Sequence, residues 1–257
     1  MVSVIVDGVN MKKFIQYIIV TNIFINIGYA SSKVTSQDLA TLDLEGRLAF
    51  VSKVFNLEQQ KELTYAEARN ELPNLNANPS IYMDKQKKPS VAINCEHVVP
   101  QSRFKKKLPM RSDLHHLYPA YEPLNELRSN FKFVDIPDSD ATFIYYMDKA
   151  KNEPVSAKVD AKDVVCEVNR YKAQFEPNGI SKGNIARACA YFFTRYPQYL
   201  PVMDQVIDVE TMIKWHESDP VDVAEQIRDA RIFKIQSAHN PYVYGKKALM
   251  RWVWSNK

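Results

Sequence analysis

The stretch CEHVVP at residues 95–100 places a carboxylate directly beside an imidazole, at Glu96 and His97. Residues 90–94 are short and β-prone, so the pair is predicted to follow or end a strand. Neighbouring side chains of a strand point to opposite faces, and both can serve one site only where the strand ends or twists. Pro100 and the polar residues after it favour such an end.

A second group of polar side chains lies on a short helix predicted over residues 124–130. Asn125 and Arg128 are three residues apart and therefore share one side of that helix. Asn125 offers an amide oxygen to a metal ion, and Arg128 could hold a phosphate oxygen bidentately. Phosphodiester hydrolysis needs a base that takes a proton from the attacking water, and an imidazole can be that base. It also needs neutralisation of the charge that grows on the phosphate, which a hard cation supplies. These spacings alone are weak evidence, because a Glu-His pair is more often ordinary surface chemistry.

Hydrophobic periodicity predicts a mainly helical chain with a few strands. Helices are predicted over residues 35–72, 183–196, 203–216 and 221–236, and a capping box at Thr64 and Glu67 marks a helix start. The expected non-helical parts are a strand over 113–119, an irregular segment over 137–160, and a turn with a short extended piece over 240–243. We therefore expect a single mixed α+β domain.

The first thirty residues have the layout of a secretory signal peptide. Lys12 and Lys13 follow Met11, and an apolar stretch ending in small residues runs over 14–30. We expect translation to begin at Met11, residues 1–30 to be removed on export, and residues 31–257 to form the mature domain. A membrane anchor is the alternative, but polar residues interrupt the stretch and it is short for a membrane span.

Charge and cysteine content restrict the function only loosely. The net charge of +4 suits contact with a polyanion without establishing it. An oxidising compartment would allow a disulfide between Cys166 and Cys189, and three free thiols are an equal alternative. Cys95 shares a strand face with His97, so a thiol nucleophile is physically possible.

Several separate motifs, in order over residues 63–243, resemble the bacterial endonuclease I family of periplasmic and secreted DNases. They are EHVVP at 96–100, SDLHHLYP at 112–119, Asn125, RSNF at 128–131, FEP at 175–177, KGNIARA at 182–188, RIFKIQ at 231–236 and HNPYV at 239–243. Motifs in register are more specific than any one of them. The resemblance implies a mainly helical domain around a ββα-metal core, related to that of the His-Asn-His nucleases.

The resemblance also implies an activity and roles for individual residues. The activity is that of a metal-dependent endonuclease that cuts DNA with little sequence preference and leaves 5′-phosphate ends, with RNA as an open second substrate. His97 takes the role of general base, and Glu96 and Asn125 bind Mg²⁺, for which Mn²⁺ or Ca²⁺ are alternatives. Arg128 falls on a family arginine that contacts phosphate or braces the site, and we count it as catalytic. We expect a periplasmic or secreted monomer.

One departure from the family concerns the positive charge at the site. Well-known members carry an insertion between the first two motifs, with an arginine proposed to stabilise the cleaved phosphate, and this chain lacks it. Phosphate contacts from basic residues give affinity without reading sequence. The candidates for such contacts, and for replacing the missing arginine, are Arg103, Lys105, Lys106, Lys107 and Arg111.

Two other functions stay open on the sequence. Without the inserted arginine, the chain could bind nucleic acid on the same fold without cutting it. Alternatively, Cys95 and His97 could act as a cysteine-dependent hydrolase.

His115 and His116 suggest a metal site, but the side chains of neighbouring residues on a strand point to opposite faces. A structural or hydrogen-bonding role is therefore favoured for His115.

Overall fold

The computed structural model describes residues 36–75, 93–148, 153–157, 164–245 and 247–255. The predicted signal peptide lies outside the described residues. Within the described ranges, the helices are α1 Ser36–Ala40, α2 Leu44–Val54, α3 Tyr65–Leu75, α4 Glu122–Arg128, α5 Gly179–Arg195, α6 Val209–Ser218, α7 Val223–Gln236, α8 Pro241–Tyr244 and α9 Ala248–Trp254. The strands are β1 Ile93–His97, β2 Leu117–Tyr121, β3 Lys132–Phe133, β4 Phe143–Asp148, β5 Glu153–Ala157, β6 Val164–Asn169 and β7 Gln174–Pro177. No described helix is long and apolar enough to cross a membrane.

A two-stranded antiparallel sheet followed by one helix forms a ββα unit. β1 pairs with β2 so that Glu96 lies opposite Tyr118 and His97 opposite Leu117. The chain enters α4 directly after β2, with Pro123 in the first turn of the helix, where a missing N–H costs nothing. The predicted α+β class, mainly helical with small sheets, is confirmed.

Helix α5 runs through the main hydrophobic core. The apolar face predicted for it is buried, and the buried set also includes polar residues on other faces. Gly183 allows a close approach to the end of α6, because a Cβ there would lie 2.0 Å from the carbonyl oxygen of Asp219. The backbone N–H of Gly183 donates to Asp219 Oδ2 over 2.8 Å, and Arg187 Nη1 donates to the Asp219 carbonyl over 2.8 Å.

A second, five-stranded sheet has the order β3-β7-β6-β4-β5. Its strands β4 and β5 fall within residues 137–160, so the prediction of an irregular segment there was wrong. The run Phe143-Ile144-Tyr145 does not alternate between apolar and polar residues, and β4 pairs with β5 on one edge and with β6 on the other. Local periodicity therefore gave no sign of this strand.

Two further predictions, over residues 203–216 and 240–243, needed correction in their boundaries or type. Residues 203–208 are not α-helical: a 3₁₀ helix spans Pro197–Gln205, and α6 begins after Asp208, whose carboxylate accepts from Thr211 N. Residues 240–243 form most of α8 rather than an extended piece, because the Asn240 side chain caps the helix by accepting from Tyr242 N over 2.9 Å. Helix α9 was not predicted.

The predicted strand over residues 113–119 begins only at Leu117. Its first part is a 3₁₀ turn over Leu114–His116, with the Asp113 side chain accepting from His115 N. Both histidines of this turn are buried and hydrogen-bond to backbone carbonyls: His115 Nε2 lies 2.9 Å from Ala238 O, and His116 Nε2 lies 2.6 Å from Met110 O. These contacts agree with a structural role for His115.

The capping box at the start of α3 is confirmed. Thr64 N donates to Glu67 Oε2 over 2.7 Å, and Glu67 N donates to Thr64 Oγ1 over 3.2 Å. This reciprocal pair satisfies two backbone donors at the helix start that have no backbone carbonyl of the helix to bond to.

The contact at Gly183 predicts a sharp difference between two glycines of α5. Gly183→Ala is expected to destabilise the fold by about 1–3 kcal/mol, because the added methyl group forces backbone apart in a packed region. Gly179→Ala is the matched control, since nothing lies within 4 Å of a Cβ at that position. Urea unfolding of the two variants checks this, and equal midpoints would show that the α5–α6 approach is not tight.

Buried histidines predict a loss of stability in mild acid. Burial lowers the pKa of His97 to about 3 and of His216 to about 4, and it also lowers the pKa values of His115 and His116. Below about pH 6.5 these histidines become protonated in the unfolded chain but stay neutral in the folded chain. The free energy of unfolding therefore falls as the pH falls.

Two carboxyls act in the opposite direction. Burial, with Glu176 and Asp138 nearby, raises the pKa of Glu167 to about 7, and burial raises the pKa of Glu225. Four histidines outnumber these two groups, so we expect a net loss of stability between pH 6.5 and 5. Urea unfolding at several pH values measures it, and Glu167→Gln should make the loss steeper. A stability that is flat or rising towards pH 5 contradicts the prediction.

Candidate active site

The end of β1, the turn that follows it and the second half of α4 enclose a cleft of about 320 Å³. Glu96 and His97 both reach it, because β1 ends at His97 and the chain bends before a 3₁₀ turn over Gln101–Phe104. Asn125 and Arg128 reach it from one side of α4. The structure therefore brings together the four residues that the sequence nominated for catalysis and metal binding.

The hydrogen bond of His97 determines which ring nitrogen is basic. Its Nε2 lies 3.1 Å from the backbone carbonyl oxygen of Arg111. A carbonyl only accepts, so Nε2 carries the proton and Nδ1 is the basic nitrogen of the neutral ring. The ring lies against Tyr65, Phe104 and His116, with centroid distances of 5.8, 6.4 and 5.7 Å.

The surroundings of His97 keep it neutral. Burial, and then the charge of His116, lower the pKa of His97 to about 3, while the hydrogen bond to the Arg111 carbonyl opposes the shift. The imidazole is therefore unprotonated at every pH near neutrality and able to accept a proton.

Arg128 is almost fully buried and binds the end of β1. Its Nη1 lies 3.0 Å from Glu96 Oε1. Nη1 also donates to the carbonyl of His97 over 3.2 Å, and Nη2 donates to the carbonyl of Val98 over 2.7 Å. The guanidinium lies over the ring of Phe133, 4.3 Å from its centroid. Of the two roles open on the sequence, these contacts favour bracing.

The donors at the cleft suit a hard cation. Glu96 supplies carboxylate oxygen and Asn125 an amide oxygen, which are ligands that Mg²⁺ prefers, and Mg²⁺ is often held by only one or two protein groups. In the described part of the chain, no group of three or more His, Cys, Asp or Glu residues is placed to hold a metal. A softer ion such as Zn²⁺, which needs several nitrogen or sulfur ligands, fits this site poorly.

The basic candidates differ in how firmly they are held. Arg103 is bound to its surroundings, because Nη1 donates to Gln205 Oε1 over 2.6 Å and Nη2 to the Asn130 carbonyl over 3.3 Å. Lys105, Lys106 and Lys107 are exposed on the turn after the 3₁₀ segment. Arg111 lies over the ring of Tyr65, 4.0 Å from its centroid.

The cysteines are buried free thiols, so the alternative of a bridge between Cys166 and Cys189 is not realised. Cys95 lines the cleft, but burial, and then the charge of Glu96, raise its thiol pKa to about 12. The reactive thiolate is therefore scarce at neutral pH, which argues against Cys95 as a nucleophile.

Other residues of the cleft were not singled out from the sequence. Gln101, Ser102 and Ser129 line it, and Tyr65 packs against His97 from α3. Ser129 directly follows Arg128 and has a φ of 52°, in the region that favours glycine. The position next to the α4 motif was the available signal for Ser129, whereas nothing local indicated Tyr65.

The sequence of the chain is also similar to those of known proteins. The family profile described as Endonuclease I matches residues 31–246. The chain belongs to the endonuclease I family.

Individual relatives agree with that membership. Endonuclease-1 of Buchnera aphidicola subsp. Baizongia pistaciae (strain Bp) is 33% identical over 137 residues, which cover 53% of this chain and 48% of the relative. Endonuclease-1 of Buchnera aphidicola subsp. Acyrthosiphon pisum (strain APS) is 29% identical over 178 residues, or 62% of each protein. An extracellular deoxyribonuclease of Aeromonas hydrophila is 26% identical over 177 residues, which cover 62% of this chain and 69% of the relative. The chain thus spans about half to two thirds of the length of the Endonuclease-1 relatives.

Removing the charge of Arg128 should destabilise the protein strongly. Arg128→Met is expected to cost about 3 kcal/mol, because it takes a charged donor away from the buried Glu96 carboxylate and from two backbone carbonyls. Arg251→Met removes an exposed ion pair with Glu217 and should cost less than about 1 kcal/mol. Urea denaturation of both variants measures the difference. Equal losses would mean that the pair of Glu96 and Arg128 is not a buried brace.

Proposed function

We propose that the chain is a metal-dependent endonuclease that hydrolyses phosphodiester bonds of DNA with little sequence preference. RNA is a second substrate of the same chemistry to be tested. The observation that carries the proposal is His97, a neutral imidazole with Nδ1 as its basic nitrogen, in a cleft also lined by Glu96 and Asn125. Membership of the endonuclease I family supports the same activity.

His97 is the general base in this proposal. A water molecule in the cleft gives a proton to Nδ1 as its oxygen attacks phosphorus, and the bond from phosphorus to the 3′ oxygen breaks. The products are a 5′-phosphate and a 3′-hydroxyl, which takes its proton from solvent. The negative charge of a bound phosphodiester favours the protonated ring, whereas the positive charge of a cation on Glu96 would favour the neutral ring. The hydrogen bond from Nε2 to the Arg111 carbonyl keeps the ring oriented throughout.

Glu96 and Asn125 would hold the metal ion, Mg²⁺ by preference and Mn²⁺ or Ca²⁺ as alternatives. A bound divalent cation supplies neutralisation of the charge that grows on the phosphate and on the departing 3′ oxygen. Arg128 acts through Glu96: its hydrogen bonds fix the carboxylate and the end of β1, so it is a positioning residue rather than a group that touches substrate.

The proposed setting is the periplasm or the exterior of the cell, where the protein acts as a monomer. The sequence over residues 1–30 supports export, and one relative is named an extracellular deoxyribonuclease.

The loss of His97 should nearly abolish cleavage. His97→Ala is expected to lower the single-turnover rate on plasmid DNA with Mg²⁺ by about 100- to 10,000-fold, the usual contribution of a general base. His239→Ala is the matched control, because that histidine binds Asp229 and lies outside the cleft. Added imidazole should restore part of the His97→Ala rate, and end-labelling should show 5′-phosphates.

The same assay separates the proposal from its rivals. Cleavage that EDTA stops and thiol alkylation leaves unchanged supports the metal-dependent nuclease. Cleavage that survives EDTA but not alkylation supports the Cys95 hydrolase. Salt-sensitive DNA binding with no cleavage by the wild-type protein supports a binding protein on the nuclease fold, and overturns the proposal.

A further inference from the structure

Arg111 is held in place on three sides. Its guanidinium carbon lies 4.0 Å from the centroid of the Tyr65 ring. Its Nε donates to Gln101 Oε1 over 3.0 Å, and its backbone carbonyl accepts from His97 Nε2 over 3.1 Å. A flat guanidinium against an aromatic face, with Nε already bonded, has lost most of its freedom before any ligand arrives.

The charge of Arg111 has no acidic partner among the residues that the structure describes. Its only side-chain hydrogen bond there goes to Gln101, which leaves Nη1 and Nη2 available as donors. This state distinguishes it from Arg128, which pairs with Glu96, and from Arg103, whose Nη atoms bond to Gln205 and Asn130. The side chain is half-buried and therefore reaches solvent.

The restraints place Arg111 at the edge of the proposed active site. Gln101, its hydrogen-bond partner, lines the cleft, and the Tyr65 ring beneath it lies 5.8 Å from the His97 ring. The positive charge of Arg111 is near enough to His97 to contribute to the lowering of its pKa, after burial and the charge of His116. Arg69, one turn further along α3 from Tyr65, is exposed and adds a second positive charge near the same ring.

We propose that Arg111 binds a phosphate of the polynucleotide beside His97, with Tyr65 and Gln101 holding its guanidinium in position. This inference rests on the proposed function, because it takes a polynucleotide as the ligand. The two Nη groups can donate to the two free oxygens of a phosphodiester. Because the Tyr65 ring already holds the guanidinium, binding requires little further ordering of the Arg111 side chain. The contact reads no base, which fits cleavage with little sequence preference.

Salt dependence of binding provides the test, because it counts phosphate contacts. The ligand is a fluorescent 20-base-pair duplex, and EDTA prevents cleavage during titration. Each lost contact to duplex DNA reduces the slope of log affinity against log salt by about 0.9. Arg111→Ala should show that reduction, a drop in affinity of about tenfold at low salt, and a slower single-turnover rate with Mg²⁺. Arg111→Lys keeps the charge, so it should keep the slope but lose part of the rate.

Arg170→Ala is the matched control. Arg170 also lies over an aromatic ring, with its guanidinium 4.6 Å from the centroid of Phe143, but it is in the turn after β6 of the second sheet and does not line the cleft. The salt-dependence slope and the single-turnover rate of Arg170→Ala should equal those of the wild type. Thermal melting of all variants, followed by circular dichroism, ensures that only folded protein is compared.

The outcomes separate this inference from the proposed function. If the wild type cleaves DNA and folded Arg111→Ala binds with an unchanged slope, the inference is wrong and the nuclease assignment stands. If the wild type binds but never cleaves, and Arg111→Ala still lowers the slope by about 0.9, the proposed function fails while the phosphate contact stands. A slope that falls equally in Arg170→Ala overturns the inference, because the effect would then be general.

Discussion

The buried ion pair between Arg128 and Glu96 is the interaction on which the cleft depends. Both side chains are almost fully buried, and taking such charges out of water costs several kcal/mol each unless further hydrogen bonds offset the cost. Arg128 provides these bonds by donating to the carbonyls of His97 and Val98. One side chain thus ties the end of β1 to the end of α4, and the oxygen donors of the cleft are positioned before any ligand binds.

The orientation of His97 depends on a longer chain of contacts. The carbonyl that binds its Nε2 belongs to the loop between β1 and β2, and that loop is anchored through Asp113. The Asp113 carboxylate accepts from Gln60 Nε2 over 3.0 Å, from Tyr191 Oη over 2.9 Å and from Tyr196 Oη over 2.8 Å. Helix α5 therefore supports the orientation of His97, although the residues lining the cleft come from other elements.

Features that depend on residues close together in the sequence could be predicted from it more readily than features that depend on the tertiary structure. The capping box of α3 and the shared side of α4 depend on residues three apart, and both were predicted correctly. The four residues nominated for catalysis and metal binding came from family resemblance, and they do share one cleft. Strand β4 lies between β5 and β6 with both edges paired, and its run of residues lacks the apolar–polar alternation by which a half-buried strand is predicted. Helix α9 is buried over most of its surface and so lacks the polar face that would reveal its period.

Basic residues show why composition alone could not identify the phosphate contacts. Arg128 lines the cleft, while Arg103 and Arg111 each bond to a residue that lines it. Their hydrogen bonds differ, because the Nη atoms of Arg103 and Arg128 bond within the protein, whereas Arg111 bonds there only through Nε. Arg111 also serves His97, but through its backbone carbonyl. Because one role uses the main chain and the other the side chain, truncating Arg111 should remove the proposed phosphate contact and leave His97 in place. The loss of an inserted arginine can therefore be compensated at a position that the His97 hydrogen bond already fixes.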